Sequence, residues 1–176
     1  MRTAQQLLTQ YAAYHRDRRN IATHFVGVPM IVFAVGVLLA GVIFVVNGVA
    51  VTAAWLVFVP VALWYLSRGL VLGLATSAVV GVLLLLADPA AAGSTTAWLA
   101  WGIGGFAVGW AIQFVGHYYE GRKPAFVDDI VGLLVGPMFV VAEWLFMVGW
   151  NKPLLRAIES EVGPTVIRDL AQPATP

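Results

Sequence analysis

Five apolar segments, each about long enough to cross a lipid bilayer, limit what this 176-residue chain can fold into. Short turns such as Asn47-Gly48 separate them. Their bounds are residues 25–46, 49–66, 70–87, 96–115 and 130–150. Only 11% of the residues are charged, against roughly 25% in an ordinary soluble domain. The sequence therefore predicts an all-α integral membrane protein, a helical bundle of four to five apolar helices across residues 25–150.

The polar stretch before the first segment, residues 3–20, is predicted to form a short amphipathic helix at the membrane interface. Thr3-Ala4-Gln5-Gln6 is typical of a capping box that starts such a helix. His15 falls on the apolar stripe that follows at helical spacing, whereas Asp17 falls off it. Because a buried imidazole needs a hydrogen-bond or metal partner, the position of His15 favours a functional role.

The last apolar segment, residues 130–150, contains Gly136-Pro137 near its middle, and proline interrupts helices. A full crossing would also place the positive charges of the tail outside, against the positive-inside rule. We therefore predict a re-entrant pair of helices that is broken at Gly136-Pro137 and leaves Glu143 buried. Residues 151–176 follow as a polar tail. The whole chain, residues 1–176, is predicted to be a single membrane domain.

The positions of Lys and Arg predict the orientation of the bundle in the membrane. The loops at 47–48 and 88–95 carry none, and the cations that flank the other ends of the segments are Arg2, Arg16, Arg18, Arg19, Arg68, Arg122 and Lys123. The positive-inside rule therefore predicts a cytoplasmic N-terminus. All three histidines of the chain then lie at that same face, and they are His15, His24 and His117.

A second polar group stands on one stripe of the fourth segment, where Gln113, His117 and Glu120 are spaced i, i+4 and i+7. Together with His15 and His24 they form a candidate metal site, because imidazole and carboxylate suit non-haem iron or zinc. A chain without cysteine has no thiolate ligands and no iron–sulfur cluster. A net charge of +1 provides no basic field, so no nucleic acid partner is expected.

Two other functions stay open on the residues alone. One is a membrane binding or transport protein in which the polar cluster forms a proton or ion path. The other is an electron carrier whose haem is held by two of the histidines. Transport predicts polar residues along a whole transmembrane route, whereas here they crowd one face. A di-iron desaturase needs many more than the three histidines present and is excluded.

Two motif blocks carry a resemblance to a known family. They comprise Tyr14-His15, Asn20, His24-Phe25-Val26-Gly27-Val28-Pro29, Gln113-Phe114-Val115-Gly116-His117, Glu120 and Pro124-Ala125. On these motifs the chain resembles the Mpo1-like family, also called DUF962, from about residue 11 to residue 146. The resemblance implies an iron(II)-dependent dioxygenase that shortens 2-hydroxy fatty acids by one carbon, an alpha-oxidation step in sphingoid base degradation.

The resemblance also implies roles for individual residues. The iron(II) ligands would be His15, His24 and His117. Glu120 would be either a fourth ligand or an acceptor that orients a histidine. Asn20 and Gln113 would support the ligands, and Glu143 lies where the family has an acidic residue. From the residues alone, we also expect that Arg16, Arg19 or Lys123, cations near the histidines, could hold the acid group of the substrate. The implied partners are a 2-hydroxy fatty acid, O₂ and the lipid bilayer, in the inner membrane of a bacterium or the endoplasmic reticulum of a eukaryote.

Overall fold

The structure is a computed structural model that describes residues 2–171. Met1 and residues 172–176, the end of the predicted polar tail, lie outside the described residues. Residues 2–171 contain seven α-helices, and these are α1 (Ala4–Ala12), α2 (Arg18–Ala40), α3 (Ala53–Leu66), α4 (Leu70–Ala91), α5 (Thr95–Glu120), α6 (Gly132–Met147) and α7 (Lys152–Val162). A π-helical turn, Ala100–Gly104, lies within α5, and a 3₁₀ turn, Ala125–Val127, follows it. The all-α prediction is confirmed.

The membrane prediction is also confirmed. Among the described helices, α2, α4 and α5 are long and apolar enough to cross a membrane. The longest, α5, has 26 residues and so extends for about 39 Å, more than the roughly 30 Å of a hydrocarbon core. A fourth candidate span consists of α6 and α7 taken together, which meet at a bend of 117°.

The prediction of a spanning helix at residues 49–66 is wrong. Two antiparallel strands, β1 (Ile43–Val46) and β2 (Val49–Thr52), occupy the start of that segment and the end of the one before it. Asn47 and Gly48 turn between them with φ of 51° and 80°, the left-handed values that an Asn-Gly hairpin turn requires. The hairpin leaves α3 only 14 residues, about 21 Å of helix. It is therefore shorter than a bilayer core.

The predicted break at Gly136-Pro137 is also misplaced. Pro137 lies inside α6, which continues to Met147. The bend lies instead in residues 148–151, before α7 begins at Lys152. Proline at this position removes one backbone hydrogen bond near the start of the helix, which the apolar packing of α6 tolerates. At the bend, Gly149 and Asn151 have φ of 88° and 46°, and the Asn151 side chain caps α7.

The described chain divides into two compact units. Residues 27–110 form one, in which α3 packs along α4. Residues 2–26 and 111–171 form the other, in which α1 packs on both α6 and α7. The capping box at Thr3 is present, but α1 ends at Ala12 and its apolar stripe is buried against protein. Every candidate site residue named from the sequence belongs to this second unit.

Candidate metal centre

The structure brings the three histidines of the chain together. His15 lies in the loop between α1 and α2, His24 in the second turn of α2, and His117 in the last turn of α5. One ring nitrogen from each lies within 4.8 Å of the other two. The three side chains are 0%, 2% and 6% exposed, respectively. His117 thus joins two histidines that precede it by 93 and 102 positions in one buried cluster of imidazoles.

Hydrogen bonds to main-chain carbonyls orient two of the three rings. His15 Nδ1 lies 2.7 Å from the Tyr11 carbonyl oxygen, and His24 Nδ1 lies 2.9 Å from that of Asn20. A carbonyl can only accept, so each Nδ1 carries the hydrogen of a neutral ring and each Nε2 is left with a bare lone pair. The two Nε2 atoms lie 2.9 Å apart. Such a pair needs a positive charge between its lone pairs.

The donor set fits a metal ion better than a proton. Burial, together with the neighbouring rings of His24 and His117, lowers the pKa of His15 well below its ordinary value. Two nitrogens that bind one ion at about 2.1 Å and at right angles lie about 3 Å apart, close to the separation found here. His117 Nδ1 is buried with no hydrogen-bond partner among residues 2–171, and it provides a third lone pair. Three imidazoles therefore converge as ligands would.

Aromatic side chains cover the cluster on one side. The Tyr11 ring stacks on His15 with centroids 4.2 Å apart and an interplanar angle of 3°. Phe139 of α6 lies 5.3 Å from the His15 ring and 5.0 Å from the Tyr11 ring. Burial raises the pKa of the Tyr11 hydroxyl, so this ring stays neutral. Neither Tyr11 nor Phe139 is marked as a site residue by the sequence, because such aromatics are common in any apolar core.

Glu120 is bound by nitrogen donors of the chain on both carboxylate oxygens. Oε1 accepts a hydrogen bond of 2.9 Å from Arg16 N, and Oε2 accepts from Asp17 N and Asn20 Nδ2, each at 2.9 Å. Glu120 stands three residues after His117 on α5. Its carboxylate therefore ties the helix that carries His117 to the loop and helix that carry His15 and His24.

The C-terminal stretch holds the same loop from another side. Val166 forms an isolated two-bond bridge there, since its N–H donates to Arg16 O at 2.8 Å and its carbonyl accepts from Arg18 N at 2.9 Å. The Asp17 carboxylate, 1% exposed, accepts from Arg168 N at 2.8 Å. Sequence reasoning missed these residues and placed Asp17 off the apolar stripe. Isolated bridges of this kind leave no pattern in a sequence.

The three cations predicted to hold an acid group already bind groups of the protein. Arg16 donates to main-chain carbonyls of Ala12, His15 and Gly163 at 2.8–3.0 Å. Arg19 binds Asp17 through two side-chain nitrogens, and Lys123 binds Asp128 at 2.6 Å on the surface. Of the three, Arg16 lines a cavity of about 340 Å³ beside Glu120.

The remaining three predicted residues differ in their surroundings. Asn20 Nδ2 donates to Glu120 and to the Tyr14 carbonyl, and its side chain is 0% exposed. Glu143 lies in α6 and is half-buried. Gln113 is 3% exposed, and neither polar atom of its amide has a hydrogen-bond partner among the described residues.

Comparisons with known proteins agree with the motif resemblance. The profile of a family described as "2-hydroxy-palmitic acid dioxygenase Mpo1-like" matches residues 1–148. The chain is 32% identical over 157 residues to "2-hydroxy-palmitic acid dioxygenase MPO1" of Saccharomyces cerevisiae, and the alignment covers 86% of this chain and 85% of the yeast protein. No solved structure matches. The three clustered histidines lie within the matched residues, and the chain belongs to the Mpo1-like family.

Proposed function

We propose that this protein is an iron(II)-dependent non-haem dioxygenase that shortens 2-hydroxy fatty acids by one carbon, as in fatty acid alpha-oxidation. The observation that carries the proposal is the approach of His15 Nε2 to His24 Nε2 at 2.9 Å, with both Nδ1 atoms bound to carbonyls. The name of the yeast relative supports the substrate class, and apolar helices suit a substrate whose tail dissolves in the bilayer. The positive-inside pattern supports a site at the cytoplasmic face.

Iron(II) is the metal of the proposal because imidazole suits it and O₂ chemistry needs a redox-active ion. When bound by three histidines, iron(II) would supply the activation of O₂ that the carbon–carbon cleavage needs. The overall reaction, R–CH(OH)–COOH + O₂ → R–COOH + CO₂ + H₂O, balances without an external reductant. The C1–C2 bond of the acid breaks, the acid is oxidised and O₂ is reduced to the level of water.

The residues of the chain would bind, orient and shield. His15, His24 and His117 would hold the ion, and the carbonyls of Tyr11 and Asn20 fix two of the rings. The hydrogen bonds of Glu120 to the main chain support its role as an acceptor that positions the ligands, rather than as a fourth ligand.

The same geometry argues against haem. His15 and His24 would not hold a haem between them, because their Nε2 atoms lie only 2.9 Å apart and leave no room for a porphyrin.

The test combines metal analysis with oxygen uptake. Protein purified without chelator is expected to hold about one iron per chain and to consume O₂ with 2-hydroxypalmitate. His117→Ala should lose both properties. The control is Tyr118→Ala, which removes an aromatic ring that is 71% exposed on the neighbouring position of α5.

Three results would contradict the proposal. The first is a folded His117→Ala variant with wild-type iron content and rate. The second is wild-type protein that stays inert after iron(II) is added, which would favour a binding or transport protein. The third is a haem band in the visible absorption spectrum.

A further inference from the structure

Gln113 is a buried amide one helical turn before His117, and neither of its polar atoms has a partner among the described residues. It is 3% exposed, and the described residues provide no hydrogen bond to Oε1 or Nε2. Buried polar groups in folded proteins almost always have partners, so an amide with none calls for a specific explanation. A ligand with both a donor and an acceptor would satisfy it.

The position of Gln113 on α5 places it near the histidine cluster. It precedes His117 by one helical turn, a spacing at which Cβ atoms lie about 6 Å apart. Gly116 stands on the same face, and a Cβ there would overlap the Thr23 hydroxyl of α2. This face of α5 therefore packs closely against the start of α2. His117 is on that face too, and its Nδ1 has no hydrogen-bond partner in the described part of the chain.

Other polar side chains near the cluster are less suited to this role. Arg16, Arg19 and Lys123 already bind carbonyl or carboxylate groups of the protein. Glu143 is only half-buried. Gln113 is the candidate whose hydrogen-bonding groups are both buried and unused.

We propose that Gln113 binds the 2-hydroxy acid group of the substrate and thereby selects 2-hydroxy fatty acids over unsubstituted ones, a role that rests on the proposed function. Its Nε2 donates to a carboxylate oxygen, and its Oε1 accepts from the hydroxyl on C2. An unsubstituted acid has no hydroxyl at C2 and leaves Oε1 unpaired. Sites that hydrogen-bond a substrate hydroxyl reject analogues without it, because a buried polar group is then left unpaired.

Binding of 2-hydroxypalmitate and of palmitate to the full-length protein tests this role. The protein is loaded with iron(II) and kept anaerobic, so that no turnover occurs. Wild type is expected to bind 2-hydroxypalmitate at least about tenfold more tightly than palmitate. In Gln113→Met, which has similar length and no hydrogen-bonding amide, the ratio should fall to about twofold or less while palmitate affinity is retained. Gln5→Met, at an exposed glutamine of α1, should keep the wild-type ratio.

The outcomes separate this role from the proposed function. A wild-type ratio in Gln113→Met overturns the assignment, and so does an equal loss of affinity for both acids or a lower iron content. Wild-type protein that binds both acids equally refutes the proposed substrate class as well. If Gln113→Met does not fold, Gln113→Glu tests the role instead. Its negative charge repels a carboxylate, so the affinity for 2-hydroxypalmitate should fall at least about tenfold. Unchanged affinity in this variant overturns the role.

Discussion

Removal of the Glu120 carboxylate is predicted to loosen the proposed iron site without removing one of its proposed ligands. In Glu120→Ala, the donors at Arg16 N, Asp17 N and Asn20 Nδ2 lose their acceptor. Asp17 and Asn20 are 1% and 0% exposed, so the truncation leaves two buried donors without the carboxylate. A buried donor without a partner costs about 1–3 kcal/mol, and two of them lower the free energy of unfolding by about 2–4 kcal/mol when partial relaxation is allowed.

Thermal unfolding of the metal-free protein in detergent measures this loss. At about 2–4 °C per kcal/mol for a chain of this size, the midpoint should fall by about 5–15 °C. Iron content at saturating iron(II) should stay near one per chain, while the affinity weakens because the His15 loop is less well held. The matched control is Glu161→Ala, at an exposed glutamate of α7, which should change neither quantity.

The opposite pattern would refute this reasoning. If metal-free Glu120→Ala has the same midpoint of thermal unfolding as the wild-type protein but no longer binds iron, the carboxylate acts on the metal directly. Glu120 would then be a fourth ligand, and the hydrogen bonds described here would belong only to the metal-free state.

Two further predictions concern the packing around the site. Gly116→Ala should lower stability by about 1–3 kcal/mol because the added Cβ overlaps the Thr23 hydroxyl. Gly104→Ala, where nothing lies within 4 Å, is its control, and equal midpoints of thermal unfolding would contradict the predicted clash. Asp17→Ala should lower stability by about 2–3 kcal/mol, since it leaves the donors that bind this buried carboxylate without an acceptor. Asp169→Ala, at an exposed carboxylate, is the comparison, and a loss of the same size there would show that the burial of Asp17 is irrelevant.

The shared position of the histidines could be predicted because it follows from long-range rules. Apolar length identifies the segments that can span the membrane. The distribution of Lys and Arg then places the N-terminal stretch and the end of the fourth segment at the same membrane face. His15, His24 and His117 are therefore at one level before any packing is known. Their ring orientations could not be predicted, because these depend on carbonyls of Tyr11 and Asn20, and every residue has a carbonyl.

The errors in the fold have a different cause. Asn47-Gly48 lies between two runs rich in β-branched residues, which is a strong hairpin signal, but these runs also belong to apolar segments long enough to cross a bilayer. Pro137 is a different case. The sequence predicts a break at this proline, but the helix includes it and continues to Met147. For Glu120, the helical stripe indicated the right face of α5. The donors to its carboxylate oxygens are mainly backbone N–H groups, and no sequence pattern identifies those.

The distance along the chain between the parts of this centre also bears on its biosynthesis. His24 leaves the ribosome 93 residues before His117, an interval of about 5–20 s at ordinary rates of translation. Val166 and Arg168, which hold the loop of His15, emerge later still. His15 and His24 are therefore synthesised before His117, while the intervening helices enter the bilayer. If the proposed iron site is correct, iron enters after membrane insertion, and a nascent chain arrested before residue 117 should not retain it.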